Sequence, residues 1–73
     1  MKDKKQLVLD ALSIAHENGG VMISSKKGNG DLIWLNMHFE QSEQVDVFAQ
    51  TCQVHNVGRI MELKGNNIIS VMI

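Results

Sequence analysis

The chain contains no proline and no tyrosine, and it carries one cysteine and one tryptophan among 73 residues. Without proline, no turn or helix stop is imposed by a locked φ, so each break in regular structure must be written in glycine or asparagine. With Cys52 as the lone cysteine, no disulfide can form within the chain. One Trp and two Phe leave few positions for aromatic packing and thin provision for stacking nucleobases. No apolar run approaches the ~20 residues that span a bilayer. The opening "MKDKKQ" leads into an amphipathic segment rather than the continuous apolar stretch of a signal peptide. A surplus of one charge is missing too: the net charge is −1, which predicts no whole-molecule attraction to nucleic acid or anionic membrane. These absences together predict a soluble cytoplasmic protein with no membrane role.

What is present is the material of a globular domain. The hydrophobic fraction is 44% and the charged fraction 21%, too apolar and too weakly charged for a disordered chain. Residues 1–73 are read as a single domain. A chain this short buries only about 60% of the surface its unfolded form exposes. Such domains often gain stability from a metal or a second subunit.

Apolar residues at Leu7, Val8, Ala11, Leu12, Ile14 and Ala15 recur at helical spacing over 4–17, with Asp3 as N-cap and Asn18-Gly19-Gly20 as the stop. "VMISSK", the turn "KGNGD" and "LIWLNMHFE" read as a hairpin. Ser42 opens a second helix through Val45, Phe48, Ala49 and Cys52, ended by Asn56 and Gly58. "RIMELK", the turn "GNN" and "IISVMI" read as a second hairpin. The predicted fold is α+β: a two-layer αββαββ sandwich, with a four-stranded, mainly antiparallel sheet and two helices on one face.

The order repeats, and so do residues. At an offset of 38, Ala11 meets Ala49, Ile14 meets Cys52, Asn18 meets Asn56 and Gly20 meets Gly58; after gaps, Lys27-Gly28-Asn29 meets Lys64-Gly65-Asn66 and Ile33 meets Ile69. On that alignment Trp34 falls on Ser70 and Asn36 on Met72. The pattern predicts an internal αββ duplication, 1–40 and 41–73.

Strict alternation sorts the strands into two faces. Val21, Ile23, Ile33, Leu35, Met37, Phe39, Met61, Leu63, Ile69, Val71 and Ile73 form an inward set for the helices to cover. The outward set holds Met22, Ser24, Leu32, Trp34, Asn36, His38, Ile60, Glu62, Lys64, Ile68, Ser70 and Met72. A solvated sheet face should be mostly polar, whereas this one is half apolar. Contiguous apolar surface of that kind marks an interface, so Met22, Leu32, Trp34, Ile60, Ile68 and Met72 are the expected contact residues. A homodimer through this face or an edge strand is the expected assembly, ahead of a different protein partner. The alternative is a nucleic-acid-binding module, with Lys26, Lys27 and Lys64 at the hairpin tips and Trp34 and His38 as a stacking surface.

Catalytic chemistry is not written in the chain. No Gly-x-Ser-x-Gly nucleophile motif occurs, and "KKGNGD" lacks the phosphate-loop pattern and precedes a strand. Cys52 and His55 stand at i and i+3, but no second pair at ligand spacing accompanies them, and a buried cysteine is commonly a small hydrophobe. The expectation is a non-catalytic binding or adaptor protein with no cofactor and no metal.

Overall fold

The computed structural model describes residues 3–73, and of residues 61–64 the backbone alone. The elements follow the expected order: α1 (Lys4–Glu17), β1 (Val21–Lys27), β2 (Ile33–His38), α2 (Ser42–Val54), β3 (Arg59–Lys64) and β4 (Ile68–Met72). The four strands form one antiparallel sheet in the order β1-β2-β4-β3, which makes the class α+β.

Each boundary has a local cause. Asp3 Oδ1 accepts from the Gln6 backbone N–H at 2.8 Å, satisfying one of the orphan donors at the start of α1. At its far end Gly20 N–H donates to Ala15 O (2.7 Å) and Gly19 N–H to His16 O (3.0 Å), with Gly19 at φ +79°. This is the Schellman closure. The second helix ends in the same way, Val57 N–H reaching Cys52 O at 2.9 Å, with Asn56 at φ +54° in the glycine's place. The N-cap of α2 is Gln41 rather than Ser42, and the Gln44 side chain accepts from Gln41 N–H at 2.8 Å. The turn between β3 and β4 holds Asn66 and Asn67 at φ +64° and +60°, the left-handed pair that a primed hairpin turn requires and that asparagine tolerates.

One cluster holds the core: Ala11 and Ala15 from α1, Val45, Phe48 and Cys52 from α2, and Leu35, Met37, Phe39, Val57, Ile69, Val71 and Ile73 from the strands and their ends. Leu7, Val8, Leu12, Ile14, Ile33, Ala49 and Ile60 pack against it, partly buried. The central strands therefore keep the expected inward set. The edge strands do not, because each first strand of a hairpin carries a register shift, between Met22 and Ser24 in β1 and between Ile60 and Glu62 in β3. An extra residue inverts the alternation on either side of it. Met22 pairs with Met37 and Ile60 with Val71, both core residues. The expected outward placement of Met22 and Ile60 is therefore corrected, and Ile60 belongs to the core margin. Val21 and Ile23, expected inside, are exposed. The side chains of Met61, Glu62, Leu63 and Lys64, also sorted by alternation, lie outside the described residues.

The two hairpins share a register that differs from the sequence alignment. Ser24 opposes Asn36 as Glu62 opposes Ser70, and Lys26 opposes Trp34 as Lys64 opposes Ile68. Trp34 is thus the counterpart of Ile68, and Asn36 of Ser70, two residues away from the correspondence read from sequence. The longer first turn absorbs the difference.

Gly20 and Gly58 occupy matching crowded positions. A Cβ on Gly20 would lie 2.2 Å from Phe39 Cε2, and one on Gly58 would lie 2.8 Å from Ile73 Cγ1. By contrast, a Cβ on Gly65 meets nothing within 4 Å. Gly20→Ala is expected to cost about 1–3 kcal/mol by overpacking, lowering Tm by roughly 4–8 °C per kcal/mol. Gly65→Ala is expected to stay within about 0.5 kcal/mol of wild type. Thermal melts of the two variants followed by circular dichroism check both values.

Candidate functional site: the edge strand and the face opposite the core

Opposite the core, the sheet presents three cross-strand rows. Lys26, Trp34, Met72 and Arg59 form one; Ser24, Asn36, Ser70 and Glu62 the next; Val21, His38, Ile68 and Lys64 the third, by register position. The middle row is a hydrogen-bonded ladder. Ser70 Oγ donates to Asn36 Oδ1 at 2.5 Å, and Asn36 Nδ2 donates to Ser24 Oγ at 2.9 Å. Ser70 is only 1% exposed, and its hydroxyl is satisfied, as a buried polar group must be. The large residues to either side, Trp34, Ile68 and Met72, are half-buried, as are Leu32 and His38. Across β2 and β4, Trp34 lies opposite Met72 and His38 opposite Ile68, on either side of the polar row.

Among the described residues, large apolar side chains are exposed singly on the helices, at Leu9, Val47 and Val54, and in succession only at the sheet edge. All seven residues of β1 are exposed, and Val21, Met22 and Ile23 are 57%, 43% and 52% accessible. As an outer strand, β1 has a partner on one side only, and its free backbone N–H and C=O groups form a pairing template. Sequence reasoning placed Val21 and Ile23 in the core because their residue types fit it. The signal against that was the remainder of the strand, "SSKK", which puts Ser25 and Lys27 at core-side register positions opposite Leu35 and Ile33.

Between the β1–β2 turn and Trp34 runs a groove of about 420 Å³, lined by Lys26, Lys27, Gly28, Trp34, Asn36 and Ser70 among others. The indole lies directly over the turn: a Cβ on Gly28 would be 2.9 Å from Trp34 Nε1. Lys26, Lys27 and Trp34, predicted from sequence as a group, do meet here. His38 is not with them, since four residues along β2 separate it from Trp34 by roughly 13 Å. Lys64 sits in the row of His38 by register, with its side chain outside the described residues. Lys4 donates to the carbonyl of Asp31 and to that of Ile73 (3.2 Å), tying α1 to the first hairpin turn and the end of β4.

Cys52 and His55 have separate environments. Cys52 is buried in the core, and burial pushes its thiol from 9.0 up to about 11. His55 is the exposed C-cap of α2. Among the described residues, no three His, Cys, Asp or Glu side chains gather as metal ligands, and no helix is long and apolar enough to cross a membrane. No family model matches the chain, and neither a curated protein nor a solved structure matches it.

The thiol makes a test of core integrity. Because its folded pKa is raised, folding holds the proton that the unfolded chain releases above about 9. Stability should therefore be unaffected by Cys52 below pH 9 and fall between about pH 9 and 11. Denaturant melts across that range are expected to show the decline and to lose part of it in Cys52→Ala. At pH 8, iodoacetamide should label Cys52 in guanidinium and leave it unmodified in the native protein.

Proposed function

We propose that this protein is a small, non-catalytic binding protein that associates with a second copy of itself through the edge strand β1. The observation that carries the reading is the seven-residue exposed edge with Val21, Met22 and Ile23 in succession. A domain of 73 residues rarely leaves three large apolar neighbours in water without a use for them.

A like strand is the partner that suits this edge. In a parallel arrangement the lysines of two copies would lie side by side, which is destabilising. In an antiparallel arrangement about a two-fold axis near Ser24, the Lys26–Lys27 end of one copy lies alongside the Val21–Met22 end of the other. The lysine stems can then cover apolar surface while their ammonium groups stay in water. Pairing β1 with β1 about a two-fold axis uses this edge in both copies and leaves the other outer strand, β3, out of the contact, so association through β1 closes at a dimer. The sheet itself already joins β2 to β4 in the same antiparallel manner.

The architecture proposed with this function is a two-layer αββαββ sandwich that arose by duplication of an αββ unit. Three matches support it: the register shifts of β1 and β3, the Schellman closures, and the glycine–apolar contacts Gly20–Phe39 and Gly58–Ile73. On this reading Asn36 and Ser70 are equivalent residues, and their hydrogen bond lies on the pseudo-two-fold axis.

Sedimentation equilibrium tests the assembly. Wild type is expected to be dimeric at micromolar concentration, Ile23→Lys to be monomeric, and Val47→Lys, at an exposed apolar site on α2, to remain dimeric. A wild type that is monomeric up to millimolar concentration overturns the reading.

A further inference from the structure

The net charge of −1 conceals a segregation between the two kinds of element. The strands carry Lys26, Lys27, Arg59 and Lys64 against one acid, Glu62, while the helices carry Asp10, Glu17, Glu43 and Asp46 against Lys4 and Lys5. Lys4 is moreover engaged by two carbonyls. The strands are therefore the basic elements of an overall acidic chain. The groove beside Trp34 lies on the sheet they form, and among the described residues no acidic side chain lines that groove.

We propose that this groove binds single-stranded nucleic acid, with the phosphates on Lys26 and Lys27 and an unpaired base against Trp34. Both lysines lie at one end of β1, next to the indole, so one strand of nucleic acid can meet charge and ring together. Packing of the indole over Gly28 holds the ring at a fixed place on the sheet, which lowers the entropy lost when a base stacks on it. A volume of about 420 Å³ is in the range of small-ligand clefts and suits one nucleotide at a time. Beside the ring, the Ser24–Asn36–Ser70 ladder offers hydrogen-bonding groups already held in place: Asn36 is committed on both sides, and Ser24 Oγ, which accepts from Asn36, keeps its own proton to donate. The choice of single strands follows from the ring, because bases within a duplex are stacked on each other and cannot reach an aromatic on a sheet surface. A purely acidic peptide would use the lysines and leave the indole without a role.

Trp34 is the only tryptophan, so its fluorescence reports the site directly. Titration with a ten-nucleotide oligo(dT) or oligo(U) at low salt is expected to quench it. Two phosphate contacts predict a slope of about −1.4 in log K against log salt. By anisotropy of a labelled oligonucleotide, the double variant Lys26→Ala/Lys27→Ala should bind at least about tenfold more weakly with a slope near zero. Trp34→Ala should lose affinity at unchanged slope, and Lys5→Ala on α1 should match wild type. Circular dichroism melts establish that each variant is folded. Absence of quenching, equal weakening by Lys5→Ala, or equally tight binding of an oligoglutamate of the same length would each overturn the proposal. Sedimentation and oligonucleotide binding are separate readouts, so failure here leaves the dimer standing, and the reverse.

Discussion

The contact on which the fold turns is the Phe39 ring lying against the backbone of Gly20. Phe39 follows the last residue of β2 and precedes α2, while Gly20 joins α1 to β1. The same ring meets Phe48 of α2 with centroids 5.2 Å apart and planes tilted by 45°, a favoured geometry for aromatic pairs. One side chain thus connects both helices and the first hairpin, and it can do so only because position 20 has no Cβ. The other end of the sheet uses a smaller version of the device, with Ile73 against Gly58. Two glycines set how closely each helix exit approaches the sheet, and the core fills in behind them.

Given that closure, the burial pattern of the strands follows from geometry. The central pair, β2 and β4, supplies Leu35, Met37, Ile69 and Val71 to the core without interruption. The outer strands each insert a residue, and their apolar side chains are divided between the core margin and the solvent. In β3 the shift brings Ile60 to the core. In β1 it leaves Val21 and Ile23 uncovered. The same local irregularity therefore stabilises one edge of the sheet and exposes the other. The exposed β1 edge and the groove beside Trp34 thus lie next to each other on the sheet.

Element order, helix limits within a residue or two, and the inward set of the central strands were all legible in the sequence. Glycine and asparagine carry the stops in a chain without proline, and helical periodicity is strong where Ala11, Ala15, Phe48 and Cys52 recur. The grouping of Lys26 and Lys27 with Trp34 was legible as well, because a short hairpin must bring its turn beside the start of its second strand. Val57 was missed as a core residue, since it lies in a link after the helix, where neither periodicity applies.

The sequence by itself determined the composition of the helices and strands, since residue type and a period of 2 or 3.6 decide which positions seek an apolar environment. Only the tertiary structure decided which face the edge residues occupy. A single extra residue in a strand leaves its composition unchanged and inverts its alternation, and whether it is absorbed as a bulge depends on the hydrogen bonds of the neighbouring strand. For that reason Met22 and Ile60 were read onto the wrong face, and Val21 and Ile23 were read into a core that does not extend to them. Whether a half-apolar face stands open is also a tertiary property. Trp34, Ile68 and Met72 are half-buried around the buried Ser70, with Trp34 opposite Met72 across strands, a pairing that no linear pattern records.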